Sequence, residues 1–336
     1  MSAPLHIAID AMSGDRGPSV SVAAALAAAR EFRDVRFTLT GRQADLQREM
    51  AGAGLPNVSC LFATEVVEMT DHPREALRRK KDSSMRRAID LVKANDAHAC
   101  VSAGNTGALM ATAHFVLKML PGVERPAIVS LIPSRGGHTY MLDLGANASC
   151  TPAQLCQFAV MGSVLAADLE GAHERPRVGL LNIGEEEVKG NDVVQAANNL
   201  LAAADINYVG FVEGHDIFSD SVDVVVTDGF TGNIALKVME GASRLIANAM
   251  REEFARSPLR KLGYLASLPT LNALRARIDP RRYNGAAMVG LNGIVIKSHG
   301  STDQFGFQRA IEVAILEARD DVPAQIAQRM SVLRGA

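Results

Sequence analysis

The chain has 336 residues, 48% of them hydrophobic but only 4% aromatic and none tryptophan, so Ala, Val, Leu and Ile must fill a sizeable core. A formal net charge of −2 argues against a general nucleic-acid binder, and no apolar run reaches the ~18 residues that a membrane span needs. The N-terminus lacks a signal-peptide pattern and Cys60, Cys100, Cys150 and Cys156 show no CxxC spacing, so the expectation is a cytoplasmic protein with free cysteines, unless something holds it at a surface.

In chain order, "HIAID" leads into the Ala-rich helical "SVAAALAAAREF", and "RFTLTG" and "VSCLFA" follow. Then come "ACVSAG", "AIVSLIP", "YMLDLG", "VGLLNIG", "INYVGFVEG", "DVVVTDG" and "GIVIKSHG". Continuous apolar strands alternating with helices predict a mainly parallel sheet covered on both faces, a three-layer α/β/α architecture. The length suits one α/β unit over residues 1–336, or two coupled lobes.

Two basic stretches interrupt this rhythm. Residues 74–88, "REALRRKKDSSMRRA", concentrate Arg78, Arg79, Lys80 and Lys81, and Ser83 or Ser84 reads as the cap of a following helix. The stretch is either a solvated helix face or a dock for an acidic partner. Residues 256–282 form a helical insertion with seven Arg or Lys and one acid, Asp279. Leu262, Leu265, Leu268 and Leu271 recur at helical spacing, with a break expected near Pro269. A helix packed on the body or a second subunit fits this pattern, and so does a basic amphipathic helix on an anionic membrane.

Chemistry is expected beyond the carboxyl ends of the strands. Six Gly-rich polar loops follow strands: "IDAMSGD", "SAGNTGA", "LDLGAN", "NIGEEEVKG", "TDGFTGN" and "SHGST". On one shared edge they would pool backbone N–H groups into a metal-free anion cradle. The turn G-x-T-G occurs twice, with Gly104, Thr106 and Gly107 matching Gly229, Thr231 and Gly232. Asp10, Asp143 and Asp228 end strands and are expected to serve loop amides, and Asn147 closes the third loop. Lys189 is expected to face the anion with Glu185 or a neighbouring acid orienting it, while Asn105 and Asn233 offer amide donors. His299 is structural, a phosphate ligand or an acid. The eight His form no HExxH and no Cys/His cluster, so no metal is expected. With neither a Walker sequence nor a GxGxxG after the first strand, the expected ligand is smaller than a nucleotide.

The ordered set "IAIDAMSGD", "KKDSSM", "SAGNTGALM", "LDLGAN", "NIGEEEVKGN", "DGFTGNIALK" and "NGIVIKSHGS" resembles the acyl-carrier-protein:phosphate acyltransferase family of bacterial phospholipid synthesis. Ser13 departs from that family's pattern, which reads Gly there. The resemblance implies the fold of phosphotransacetylases and isocitrate/isopropylmalate dehydrogenases, transfer of a long acyl chain from acyl carrier protein to inorganic phosphate, and no cofactor. It further implies a homodimer associated peripherally with the membrane, whose product feeds a glycerol-3-phosphate acyltransferase. On this reading acyl carrier protein, which is acidic, docks on residues 74–88. An NAD(P)-dependent dehydrogenase of the related fold and a non-catalytic membrane-surface scaffold are the rival readings.

Overall fold

A computed structural model describes residues 4–170 and 175–335 of the chain. Its strands are β1 (His6–Asp10), β2 (Arg36–Gly41), β3 (Val58–Phe62), β4 (Ala99–Ser102), β5 (Ala127–Ser134), β6 (Gly137–Leu142), β7 (Arg177–Leu181), β8 (Asn207–Val212), β9 (Val224–Val226), β10 (Ala286–Val289) and β11 (Ile294–Lys297). Helices α1 (Pro18–Glu31), α2 (Gln43–Glu49), α3 (Pro73–Arg79), α4 (Ser84–Lys93), α5 (Thr106–Leu117) and α6 (Pro152–Glu170) belong to the first half. The second half holds α7 (Asp192–Ala203), α8 (Gly229–Ala255), α9 (Pro258–Ile278), α10 (Gln304–Arg319) and α11 (Val322–Gly335).

The strands form one sheet in the order β3-β2-β1-β4-β11-β10-β5-β6-β9-β7-β8. Alternation assigns its faces: Ile7 and Ile9 join one buried cluster with α1, α6, α10 and α11, whereas Ala8 joins a second with α4 and α5. Both faces are thus covered, as continuous apolar strands require, and the fold is three-layer α/β/α with a mainly parallel sheet.

Direction matters more than order. The pairs among β3, β2, β1, β4 and β11 are parallel, as are those among β6, β9, β7 and β8. The central pairs β11–β10, β10–β5 and β5–β6 are antiparallel. Three reversals leave the two parallel blocks running in opposite senses. β10, "AAMV", is too short and Ala-rich to read as a strand from sequence alone.

The basic insertion is half of a larger feature. α8 runs 27 residues, and beyond about Gly241 it is exposed, pairing with α9 through Phe254–Tyr264 and Arg260–Glu253. α9 has no buried residue and continues through Pro269 instead of breaking there. Leu262 and Leu265 are exposed, while Leu268 and Leu271 are partly covered. Among the described residues no helix is long and apolar enough to cross a membrane.

Candidate active site

Strand direction corrects the expectation of six loops on a single edge. The loops after β1, β4 and β11 lie on adjacent strands at one end of the sheet, and those after β6, β9 and β7 on adjacent strands of the reversed block. Five strand steps separate β1 from β6, and the two blocks run in opposite senses. Helix α8 connects the two groups. It starts at the β9 turn, and its Lys237 exerts its charge on Lys297 and His299 beside β11, its Glu240 on His299.

The β6/β9 group is closed on itself. Asp143 is fully buried, with Oδ1 accepting from the Ile128 and Ala146 N–H groups and Oδ2 from the Asn147 N–H and Nδ2. Burial pushes its carboxyl up, and these donors oppose that shift. Asn147 Nδ2 also donates to Pro126 O, and Gly229 N–H donates to Asn147 O. Asp228 caps α8, accepting from the Thr231 N–H at Oδ1 and from its hydroxyl at Oδ2. A Cβ added at Gly232 would sit 2.0 Å from Asp143 O, so glycine is required there by direct backbone contact. Asn233 lies beside Gly145 and is exposed.

The third loop of this group carries Lys189 and Glu185, both exposed. Lys189 N–H donates to Glu186 O, and its carbonyl accepts from Asn182 Nδ2 and Gln195 Nε2. Among the described residues no carboxylate pairs with the Lys189 ammonium, so the expected orienting acid is not seen.

The β1/β4/β11 group is built differently. Asp10 is 2% exposed; Ser102 Oγ donates to its Oδ2 at 2.7 Å, and Oδ1 has no hydrogen-bond partner among the described residues. Burial raises the Asp10 carboxyl, opposed by the neighbouring hydroxyls of Ser84 and Ser102, of which Ser102 makes the hydrogen bond. Ser13 takes no positive φ; its hydroxyl donates to Asp10 O and accepts from the Ala103 N–H, bracing the β1 loop against the β4 loop. Gly104 N–H donates to Ser102 Oγ and Ala108 N–H to Asn105 Oδ1. The N–H groups of Asn105, Thr106 and Gly107 take no acceptor among the described residues, and Thr106 and Gly107 are exposed. They form the first turn of the 12-residue α5, where unpaired amides and the helix dipole favour an anion.

The Asn105 side chain is committed elsewhere: Oδ1 caps α5, and Nδ2 donates to Met69 O (2.8 Å) and Asp71 O (3.2 Å). It positions the turn and has no amide proton left for a ligand. Asp71 in turn holds Lys80, whose ammonium also donates to Val66 O. Lys80 is therefore a clamp on the 66–73 loop, leaving Arg78, Arg79 and Lys81 as the less constrained charges of the basic stretch.

Sequence reasoning passed over Lys297, although it is the charged end of the apolar strand "IVIK". Its ammonium is partly buried and donates to Ser298 O and, at 3.5 Å, Ala103 O, and no carboxylate lies at ion-pair distance among the described residues. Burial lowers its pKa to about 8, against the charges of Asp15 and Asp10. His299 follows, its N–H bonded to Asn284 Oδ1. Ser301 N–H donates to its Nδ1, which leaves the proton of the neutral ring on Nε2. Burial lowers its pKa, so it acts near neutrality as a donor and not as a cation. Among the described residues no cluster of His, Cys, Asp and Glu could hold a metal.

A family model described as "Fatty acid synthesis protein" matches residues 5–325. The chain is 55% identical to the phosphate acyltransferase of Methylococcus capsulatus, covering 97% of this chain and 96% of that protein. Identity to the phosphate acyltransferase of Alkalilimnicola ehrlichii is 53%, over 100% and 99% of the two chains. In structure it resembles a phosphotransacetylase from Streptococcus pyogenes, with a TM-score of 0.64 over 95% of each chain; at 15% identity that likeness is one of fold.

Proposed function

The chain belongs to the fatty acid synthesis protein family and, like its phosphate acyltransferase relatives, is a transferase; from that premise we propose that it moves a long fatty acyl group from the thioester of acyl carrier protein to inorganic phosphate. The observation that carries the proposal is the open first turn of α5, three consecutive unclaimed amides in a rim braced by Ser13, Ser102 and Asn105. Phosphate seated there needs no activation, being an oxyanion already. A phosphate oxygen attacks the thioester carbon, the carbonyl electrons move onto oxygen, and collapse of that intermediate expels the carrier's thiolate. A thiol of pKa about 8.5 leaves with little acid assistance, so the protein's task is placement and oxyanion stabilisation. His299 Nε2–H is a suitable donor to the developing negative charge.

The partners follow as part of the same reading. Arg78, Arg79 and Lys81 suit the acidic carrier, and the α3 loop that bears them packs on the α5 turn through Asn105 and through Pro73 against Gly107. Phe230, Ile234 and Val238 are exposed at four-residue spacing along α8, an apolar stripe that suits a second copy of the chain. Exposed Leu262 and Leu265 on α9 suit peripheral contact with the membrane into which the product partitions.

The direct test incubates the purified protein with long-chain acyl–acyl carrier protein and phosphate, trapping acyl phosphate as the hydroxamate. Phosphate-dependent hydroxamate is the expected result. Its absence from folded protein, or turnover of NAD(P) with a hydroxy acid instead, would overturn the reading.

A further inference from the structure

We propose that Lys297 is the cationic ligand of the phosphate, turning an ammonium N–H toward the anion held at the first turn of α5. The inference rests on the transfer reading above and adds to it a residue and a role. Lys297 ends β11, the strand adjacent to β4, and Ala103 O, which its Nζ approaches at 3.5 Å, belongs to the turn that continues into the unclaimed amides of Asn105, Thr106 and Gly107. Its other acceptor is also a backbone carbonyl, Ser298 O. A partly buried ammonium held by two neutral carbonyls, with no counter-ion at pairing distance among the described residues, keeps an uncompensated charge near neutral pH and a hydrogen in want of an acceptor.

Two carboxylates partly offset the burial that weakens that charge. Asp10, almost fully buried with one carboxyl oxygen unpartnered, and Asp15 attract the ammonium from beyond pairing distance, and Lys237 on α8 repels it. The Lys297 and Lys237 charges both reach His299, as do those of Glu240 and Asp15, and the His299 Nε2–H takes no acceptor among the described residues, so a cation and a neutral donor share one region with Lys237 and Glu240 of α8. A surface lysine would be screened by water, whereas this one meets an anion in a drier setting.

The test is Lys297→Met, close in length without the charge, beside Lys297→Arg. A hydrogen bond from a charged group implies a rise of roughly 10- to 100-fold in the KM for phosphate in Lys297→Met, with the KM for acyl–acyl carrier protein unchanged and a substantial return in Lys297→Arg. An unchanged phosphate KM, or a loss confined to kcat, overturns the proposal. Calorimetry with inorganic phosphate, using sodium chloride as the ionic-strength control, reads the site without turnover. Weakened phosphate binding in Lys297→Met supports the assignment even if the wild type makes no acyl phosphate, in which case the reaction falls and the site stands. Should Lys297→Met fail to fold, wild-type phosphate binding at pH 7 and at pH 9.5 decides: affinity that does not fall at the higher pH overturns the proposal.

Discussion

Gly104–Gly107 and Gly229–Gly232 share two glycines and a threonine, each between a buried strand and a helix, yet their amides meet different partners. At β9 the turn is filled from within. Asp143 supplies the negative charge, Asn147 takes the Gly229 amide and Asp228 takes both donors of Thr231. At β4 the internal acid, Asp10, lies beneath the turn bonded to Ser102, and the amides above remain open. A glycine-rich turn at a helix N-terminus is thus an offer of donors, and whether a ligand can accept it depends on what the rest of the chain has already put there.

The closure of the β9 turn depends most on Asp143. Asp143→Ala would strand four N–H donors, one buried and three partly buried, and is expected to cost roughly 3–5 kcal/mol in urea unfolding; a loss under about 1 kcal/mol would show that this turn is not internally closed. Gly232→Ala drives a methyl onto the Asp143 carbonyl and should cost roughly 2–3 kcal/mol by the same measurement. The open turn should be sensitive to pH instead. Lys297 carries a pKa of about 8, so kcat/KM for phosphate should fall as pH rises above that value, approaching tenfold per unit, since the protonated form is the binding form. Asp10, Asp15 and Lys237 are the charged groups that tune it, and a flat profile from pH 7 to 10 would contradict the difference between the two turns. Asn105→Ala removes the α5 cap and the tie to Met69 and Asp71, so a loss of about 1 kcal/mol in Tm-derived stability is expected together with a raised phosphate KM. Smallest should be Gly104→Ala, where the new methyl meets side chains alone, Met85 Cε at 2.6 Å, Ser102 Oγ at 3.2 Å and Asp10 Oδ2 at 3.7 Å, and stability should drop by under about 1 kcal/mol, a clear contrast with the backbone clash of Gly232→Ala.

Much of this was legible along the chain. Asp228 ending β9, Ser83 capping α4 and the strand-end loops follow from local rules that depend on a few neighbouring residues. Other assignments reversed once partners were known. The side chain of Asn105 reads as a donor to a ligand until the 66–73 loop is seen to occupy it, and Lys80 reads as a docking charge until Asp71 is found holding it. Lys297 was overlooked because a lysine at a strand end is ordinary, and only its burial beside the β4 turn, with Nζ on Ala103 O and Ser298 O, makes it costly enough to notice.

Periodicity and turn chemistry alone determined the layered α/β fold, the loops that carry donors and the protruding basic helix, because each depends on residues within a few positions of one another. Tertiary structure decided which turn stays open. Three antiparallel pairs in the middle of the sheet send the strand ends of the two blocks in opposite senses, and long-range neighbours then satisfy one set of amides and leave the other free. Hydrogen-bond satisfaction is a property of what meets in space, and β10, the short strand that helps set those directions, carries almost no signal of its own.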